Sequence, residues 1–185
     1  MHPSLLEAFV EASVEELRTR LDAHPELVVS AVDLDMNALK LNVVFDHVEH
    51  ATELVQAQST LLLPSGAAVT KHQRIPILGR SSSRRLILHM GLDGYDLEAP
   101  TAELLDERGE PLPANQWPTS FAGAGIVNDH PIYKRPFFCR RGFREYHEHQ
   151  QHEDDPWAQW RDVLPLHAVV IELLTDLRVR WYGAA

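Results

Sequence analysis

The chain has 185 residues, 44% of them hydrophobic, and a net charge of -10 from 17 basic and 27 acidic residues. That length suits one domain over 1–185, and that charge repels a phosphate backbone unless the basic residues gather on one face, so nucleic acid is not an expected partner. No apolar run approaches the roughly 20 residues that cross a bilayer, and the first residues lack the basic start and cleavage site of an export signal, so no membrane association and a cytoplasmic location are expected.

Ser4 followed by Glu7 gives a capping pattern at a helix start. Leu6, Phe9, Val10, Leu17 and Leu21 then recur at helical spacing until His24-Pro25, which predicts a first helix over about 4–23. From Glu26 the pattern changes to short Val- and Leu-rich runs, "LVVSAVDL" and "ALKLNVVF", separated by the turn-prone "DMN". These read as an antiparallel hairpin. Residues 53–63 and 84–90 are two more strand candidates, and the intervening "GRSSSRR" reads as an exposed loop. The Gly-, Pro- and Asp-dense stretch from Gly91 to Pro118 is mostly connection, with one further strand at "AELL". Strands are therefore expected within 26–105. Pro165 suits a first helical turn, and Val169, Val170, Leu173, Leu174 and Leu177 form an apolar stripe, which predicts a last helix over about 165–178 lying across a sheet.

The sequence has no glycine-rich phosphate loop and no Gly-x-Ser-x-Gly elbow, so neither nucleotide binding nor serine hydrolysis is supported. Its chemistry gathers in the segment 128–160, around the single cysteine, Cys139. One cysteine cannot form an internal disulfide. Arg135, Arg140, Arg141 and Arg144 place positive charge close in sequence to that thiol, which is expected to lower its pKa. Phe137 and Phe138 should anchor the segment in the core while the cysteine faces out. The same thiol could instead bind zinc with nearby histidines. His147 and His149 would share a face if the segment is extended, and His152 could close from a turn. A third reading makes Cys139 a small buried hydrophobe.

The order of helix, antiparallel strands, cysteine segment and helix resembles ubiquitin-conjugating enzymes of the UBC fold, an α+β class with a meander of about four strands. Three local matches carry the resemblance. Tyr95 and Pro100 stand as in the family's Tyr-Pro-x-x-x-Pro turn, with Asp96 in place of the first proline. His130-Pro131 precedes Cys139 by nine residues, as a His-Pro-Asn segment does in the family, although Ile132 replaces the asparagine. Trp157 and the apolar "LPLHAVVIELL" follow the cysteine. The cysteine-to-tryptophan gap of 18 residues is longer than in eukaryotic members, and helix 1, often basic in the family, carries Glu7, Glu11, Glu15 and Glu16.

The resemblance implies that Cys139 accepts a ubiquitin-like modifier as a thioester from an activating enzyme and passes it to a target amine, with no cofactor required. His130 would order the segment. Asn128 lies near for oxyanion stabilisation, and Tyr146 or His147 is a candidate substitute for the missing asparagine or a proton acceptor. The segment also resembles a bacterial predicted metal-binding family with a Cys-Glu-His-His signature, associated with ubiquitin-like conjugation. That likeness implies a zinc-binding adaptor using Cys139, Glu145, His147 and His152, with His149 able to replace either histidine.

Overall fold

A computed structural model describes residues 2–62, 68–117, 119–120, 126–127 and 129–182, with the backbone alone described at 3, 48–62, 68–82, 119–120 and 179–182. Helix α1 runs Pro3–Asp22. Val10, Val14, Leu17 and Leu21 form its buried stripe, spaced so that one face of a 3.6-residue helix meets the core, whereas Phe9 of the expected stripe is 42% exposed and Val14 takes a core position the sequence reading omitted. The expected cap at Ser4 is displaced. Pro3 takes the first helical position, where its missing N–H costs nothing, and His2 becomes the cap, its Nδ1 meeting the Ser4 hydroxyl at 2.7 Å.

Four strands form an antiparallel meander: β1 Val29–Asp35, β2 Lys40–Leu62, β3 Ala68–Gly91 and β4 Thr101–Leu105. The β1–β2 turn closes at Asp35 opposite Lys40. There the Asp35 carboxylate accepts from the backbone N–H of Asn37 and Ala38, a local bond that favours a turn over continued strand. The fold is therefore α+β, in the expected order.

The length of β2 and β3 differs from the sequence expectation. "GRSSSRR" is not a loop. It continues β3, pairing Arg85 with Asp46, Arg84 with His47 and Ser83 with Val48, and the ladder runs on to Leu62 opposite Ala68 with one bulge between His50 and Thr52. The cross-strand partner supplies what local composition lacks, since Arg85 reaches the Asp46 carboxylate at 3.0 Å.

After β4 come the two-residue strands β5 Thr119–Ser120, β6 Ile126–Val127 and β7 Phe137–Phe138, then the short helix α2 Arg144–His147, the long helix α3 Leu166–Arg180 and β8 Trp181–Tyr182. Pro165 stands just before α3, and the predicted stripe from Val169 to Leu177 is buried. α3 packs on α1 and reaches β2, so the core closes between two helices and the sheet. Among the described residues no helix is long and apolar enough to cross a membrane.

Candidate functional site

Cys139 follows β7, where Phe137 and Phe138 point to opposite faces of the strand, as consecutive strand residues must. Both are buried. Phe138 packs on Trp117 and Phe143 with ring centroids 5.1 and 5.7 Å away, and Phe137 meets the His130 ring edge-on at 4.6 Å. These anchors fix the chain on both sides of the sheet and leave Cys139 half-buried. The turn after it is held by Arg140 N–H to Phe138 O and Phe143 N–H to Arg140 O.

His130, fully buried, orders the approach from the other side. Its Nδ1 accepts from the backbone N–H of Ile132 and Tyr133, and its Nε2 donates to the Glu145 carbonyl at 2.9 Å. Those bonds define a neutral ring protonated on Nε2. Its role is to staple the His-Pro turn to α2, and none of these bonds involves the thiol.

Glu145 is fully buried too. One carboxylate oxygen takes Arg135 at 2.8 Å and the Ala102 N–H at 3.1 Å, while the other has no partner among the described residues. Burial pushes its pKa up against the pull of Arg135. Arg144 ties the same element to the β3–β4 turn through the carbonyls of Ala99 and Asp93. In that turn Asp96 sits at φ 93°, a conformation closed to proline, whose ring fixes φ near -65°. The family proline is therefore incompatible with the backbone adopted here.

The surroundings of the sulfur are set by the helical stretch after Cys139. The Cys139 Sγ stands 3.3 Å from His152 Nε2. The His152 ring stacks on Tyr146 with centroids 3.8 Å apart and planes 16° from parallel. The Tyr146 hydroxyl donates to Asp155 Oδ2 at 2.8 Å. Asp155 also takes Arg141 at 2.8 Å and the Trp160 indole N–H at 2.5 Å, and these three donors hold its carboxyl down to about 2. A carboxylate thus positions a phenol, and the phenol carries the imidazole that faces the sulfur.

Sequence neighbours do not set the charge at the thiol. Arg140 pairs with Asp176, Arg141 with Asp155, Arg144 with Glu98, and Arg135 with Glu145. Each of these four arginines is matched by a carboxylate, and burial pushes the thiol pKa up rather than down. This corrects the expectation of an arginine-activated thiolate. Burial, with neighbouring His149, holds the His152 imidazole below its ordinary value. At neutral pH the pair is a neutral thiol beside a neutral imidazole.

His147 and His149 do not share a face, because the segment is helical rather than extended. Both His147 ring nitrogens meet backbone carbonyls, those of Asp155 at 2.7 Å and Arg141 at 2.6 Å. The His149 Nδ1 caps the short turn Gln150–His152, accepting from Gln151 N–H. Of the proposed zinc donors only Cys139 and His152 adjoin, and no three His, Cys, Asp or Glu side chains converge on a metal position among the described residues. Asn128 lies outside the described residues. Asp155 and Trp160 escaped the sequence reading. Their only signal was an aspartate directly before Pro156-Trp157 and a second tryptophan three residues after Trp157.

The thiol opens onto a groove of about 360 Å³ bordered by Arg141, Gly142, Tyr146, Trp160 and Leu164. Arg141 lies over the Trp160 ring at 4.1 Å, so an apolar wall carries a cationic edge. No family model matches the chain, and no curated protein matches it.

Proposed function

We propose that the chain is a ubiquitin-conjugating-like acyl carrier in which Cys139 holds a ubiquitin-like modifier as a thioester. The observation that carries this reading is the Cys139 Sγ to His152 Nε2 separation of 3.3 Å, with the cysteine itself lining the groove. A thiol kept neutral by burial needs a nearby proton acceptor to become a nucleophile, and His152, itself kept neutral, is placed to be one.

In the loading step the Cys139 proton passes to His152 Nε2. The sulfur attacks the modifier's thioester carbonyl on the activating enzyme, and the C–S bond to that enzyme breaks. Its leaving thiolate takes a proton from His152. In the transfer step a target amine attacks the Cys139 thioester, forms the amide C–N bond, gives up a proton and expels the Cys139 thiolate, which is reprotonated. The backbone N–H groups of Arg141 and Gly142 are the donors this reading assigns to the oxyanion, since that of Arg140 is bonded to the Phe138 carbonyl. His130 and Glu145 build the frame, and the roles first considered for Tyr146 and His147 become support for His152 and for the turn. A single catalytic thiol suits the reducing cytoplasm.

Incubation with a ubiquitin-like modifier, its activating enzyme and ATP tests the reading. A reductant-sensitive adduct is expected that is lost in Cys139→Ala, becomes reductant-resistant in Cys139→Ser, and forms at least tenfold more slowly in His152→Ala. Equal loading of Cys139→Ala refutes it.

A zinc-stabilised adaptor is the second reading, supported by the same contact. Sulfur and nitrogen on one zinc stand about 3.5 to 4 Å apart, only slightly farther than Cys139 and His152. It requires His149 or His147 to give up its backbone bonds. Stoichiometric zinc in the purified protein, lost in Cys139→Ser, would favour it.

A further inference from the structure

Between α1 and strand β1 lie two neighbouring hollows, one of about 750 Å³ reaching from Glu15 to Val32 and one of about 570 Å³ reaching from Ala8 to Met36. Both share Glu15 and Arg18. With a helical rise of 1.5 Å per residue, the stretch from Ala8 to Asp22 makes a trough of about 20 Å, the length of some six extended residues.

Among the described strands β1 pairs with β2 alone, so its other edge is open. The Val32 carbonyl faces that edge and is covered by the Arg18 guanidinium at 3.0 Å, which also pairs with Glu15 at 3.3 Å. Backbone groups alternate along a strand, so Leu34 turns the same way as Val32. A charged side chain laid over an open edge is how folded proteins keep an edge from pairing indiscriminately. At the end of the trough Val28 is held at φ 50° and remains 49% exposed. A β-branched residue in the left-handed region is strained, and such strain concentrates at binding sites.

We infer that this trough binds a basic, extended peptide segment of a partner protein as an added strand on β1. Its side chains supply three acidic groups, Glu11, Glu15 and Asp22, against the one guanidinium of Arg18, and exposed Asp33 and Asp35 lie along the strand itself. Lysines or arginines alternating with apolar residues would meet that wall, while main-chain bonds replace the Arg18 contact to Val32. A second copy of β1 is disfavoured because it would set Asp33 and Asp35 against the same acidic wall. The inference is independent of the chemistry at Cys139.

The probe is an acetylated, amidated and fluorescein-labelled Lys-Val-Lys-Val-Lys-Val peptide, titrated by anisotropy and by amide NMR shifts. Binding with shifts centred on 30–34 is expected. Combined Glu11→Gln, Glu15→Gln and Asp22→Asn should weaken it about tenfold at low salt. Arg18→Ala should tighten it several-fold, because the gate and a like charge are both removed. Methylation of alternate peptide nitrogens should abolish it. The inference is overturned by no binding at millimolar peptide, equal binding of Glu-Val-Glu-Val-Glu-Val, insensitivity to N-methylation, weaker binding by Arg18→Ala, or β1 shifts that report self-association.

Discussion

Replacing Gly142 by alanine tests whether the turn carrying Cys139 is seated against α3 as described. A Cβ at 142 would stand 2.5 and 2.6 Å from the two Cγ atoms of Val169. Carbon atoms settle about 3.5 to 4.0 Å apart, so roughly 1 Å must be recovered by movement. Val169 is buried on α3, and a β-branched side chain in a helix has one strongly preferred χ1 rotamer. It cannot swing aside, so the turn or the helix must shift. Overpacking of this kind costs about 1–3 kcal/mol. Gly142 is not in the left-handed region, so alanine is compatible with its backbone and returns up to about 1 kcal/mol by restricting the unfolded chain. The net expectation is a loss of about 1–2 kcal/mol, or a Tm lower by about 2–8 °C for a chain of this length. Because the displaced turn includes Cys139, its alkylation by iodoacetamide should change in the same variant. Val169→Ala alone should cost about 2 kcal/mol. Combined with Gly142→Ala it should recover at least 1 kcal/mol relative to the sum, since the new methyl enters the vacated space. Unchanged stability and alkylation in Gly142→Ala, or strict additivity in the cycle, would refute the packing argument.

Two further outcomes follow from the ionisable groups. Burial pushes the Tyr95 phenol up to about 12 from 10.0. An acid whose folded pKa is raised stabilises the fold below its unfolded value and loses that contribution as pH rises toward the folded value. Stability should therefore fall between about pH 10 and 12, by roughly 3 kcal/mol in total, and urea titrations of Tyr95→Phe across that window should lack this component. Asp155→Asn keeps the shape but weakens the hold on Arg141, Tyr146 and Trp160. Modifier loading should slow about tenfold while far-ultraviolet circular dichroism stays unchanged, and wild-type loading rates would remove Asp155 from the support of His152.

Legibility in the sequence followed the range of the interaction. The stripe of α3, most of that of α1 and the β1–β2 turn were readable because their causes lie within a few residues: helical spacing in one case, and the Asp35 carboxylate bonding the N–H groups two and three residues on in the other. "GRSSSRR" was misread because its strand character comes from Asp46, His47 and Val48 across the ladder. The arginines around Cys139 were misread for the same reason. Their neutralising carboxylates lie 36 residues on for Arg140 and 14 residues on for Arg141, so proximity in sequence overstated the field at the sulfur.

The histidine density of "YHEHQQH" carries a similar lesson about donors and acceptors. Each imidazole has two nitrogens, and a helical segment short of regular caps offers backbone groups that must be bonded if buried. His147 uses both nitrogens on carbonyls, His149 uses one on a turn N–H, and His130 uses both to close the His-Pro turn on Glu145. His152 alone among these four is brought against the sulfur, held there by a stack on Tyr146. A cluster that looks like a ligand set in one dimension is therefore, in three, largely a scaffold for presenting one ring. If that partition is right, alanine at His147 should lower stability without changing the pH dependence of Cys139 alkylation, whereas alanine at His152 should change that pH dependence with little loss of stability. The opposite pattern would mean that the ring serving the thiol had been wrongly identified.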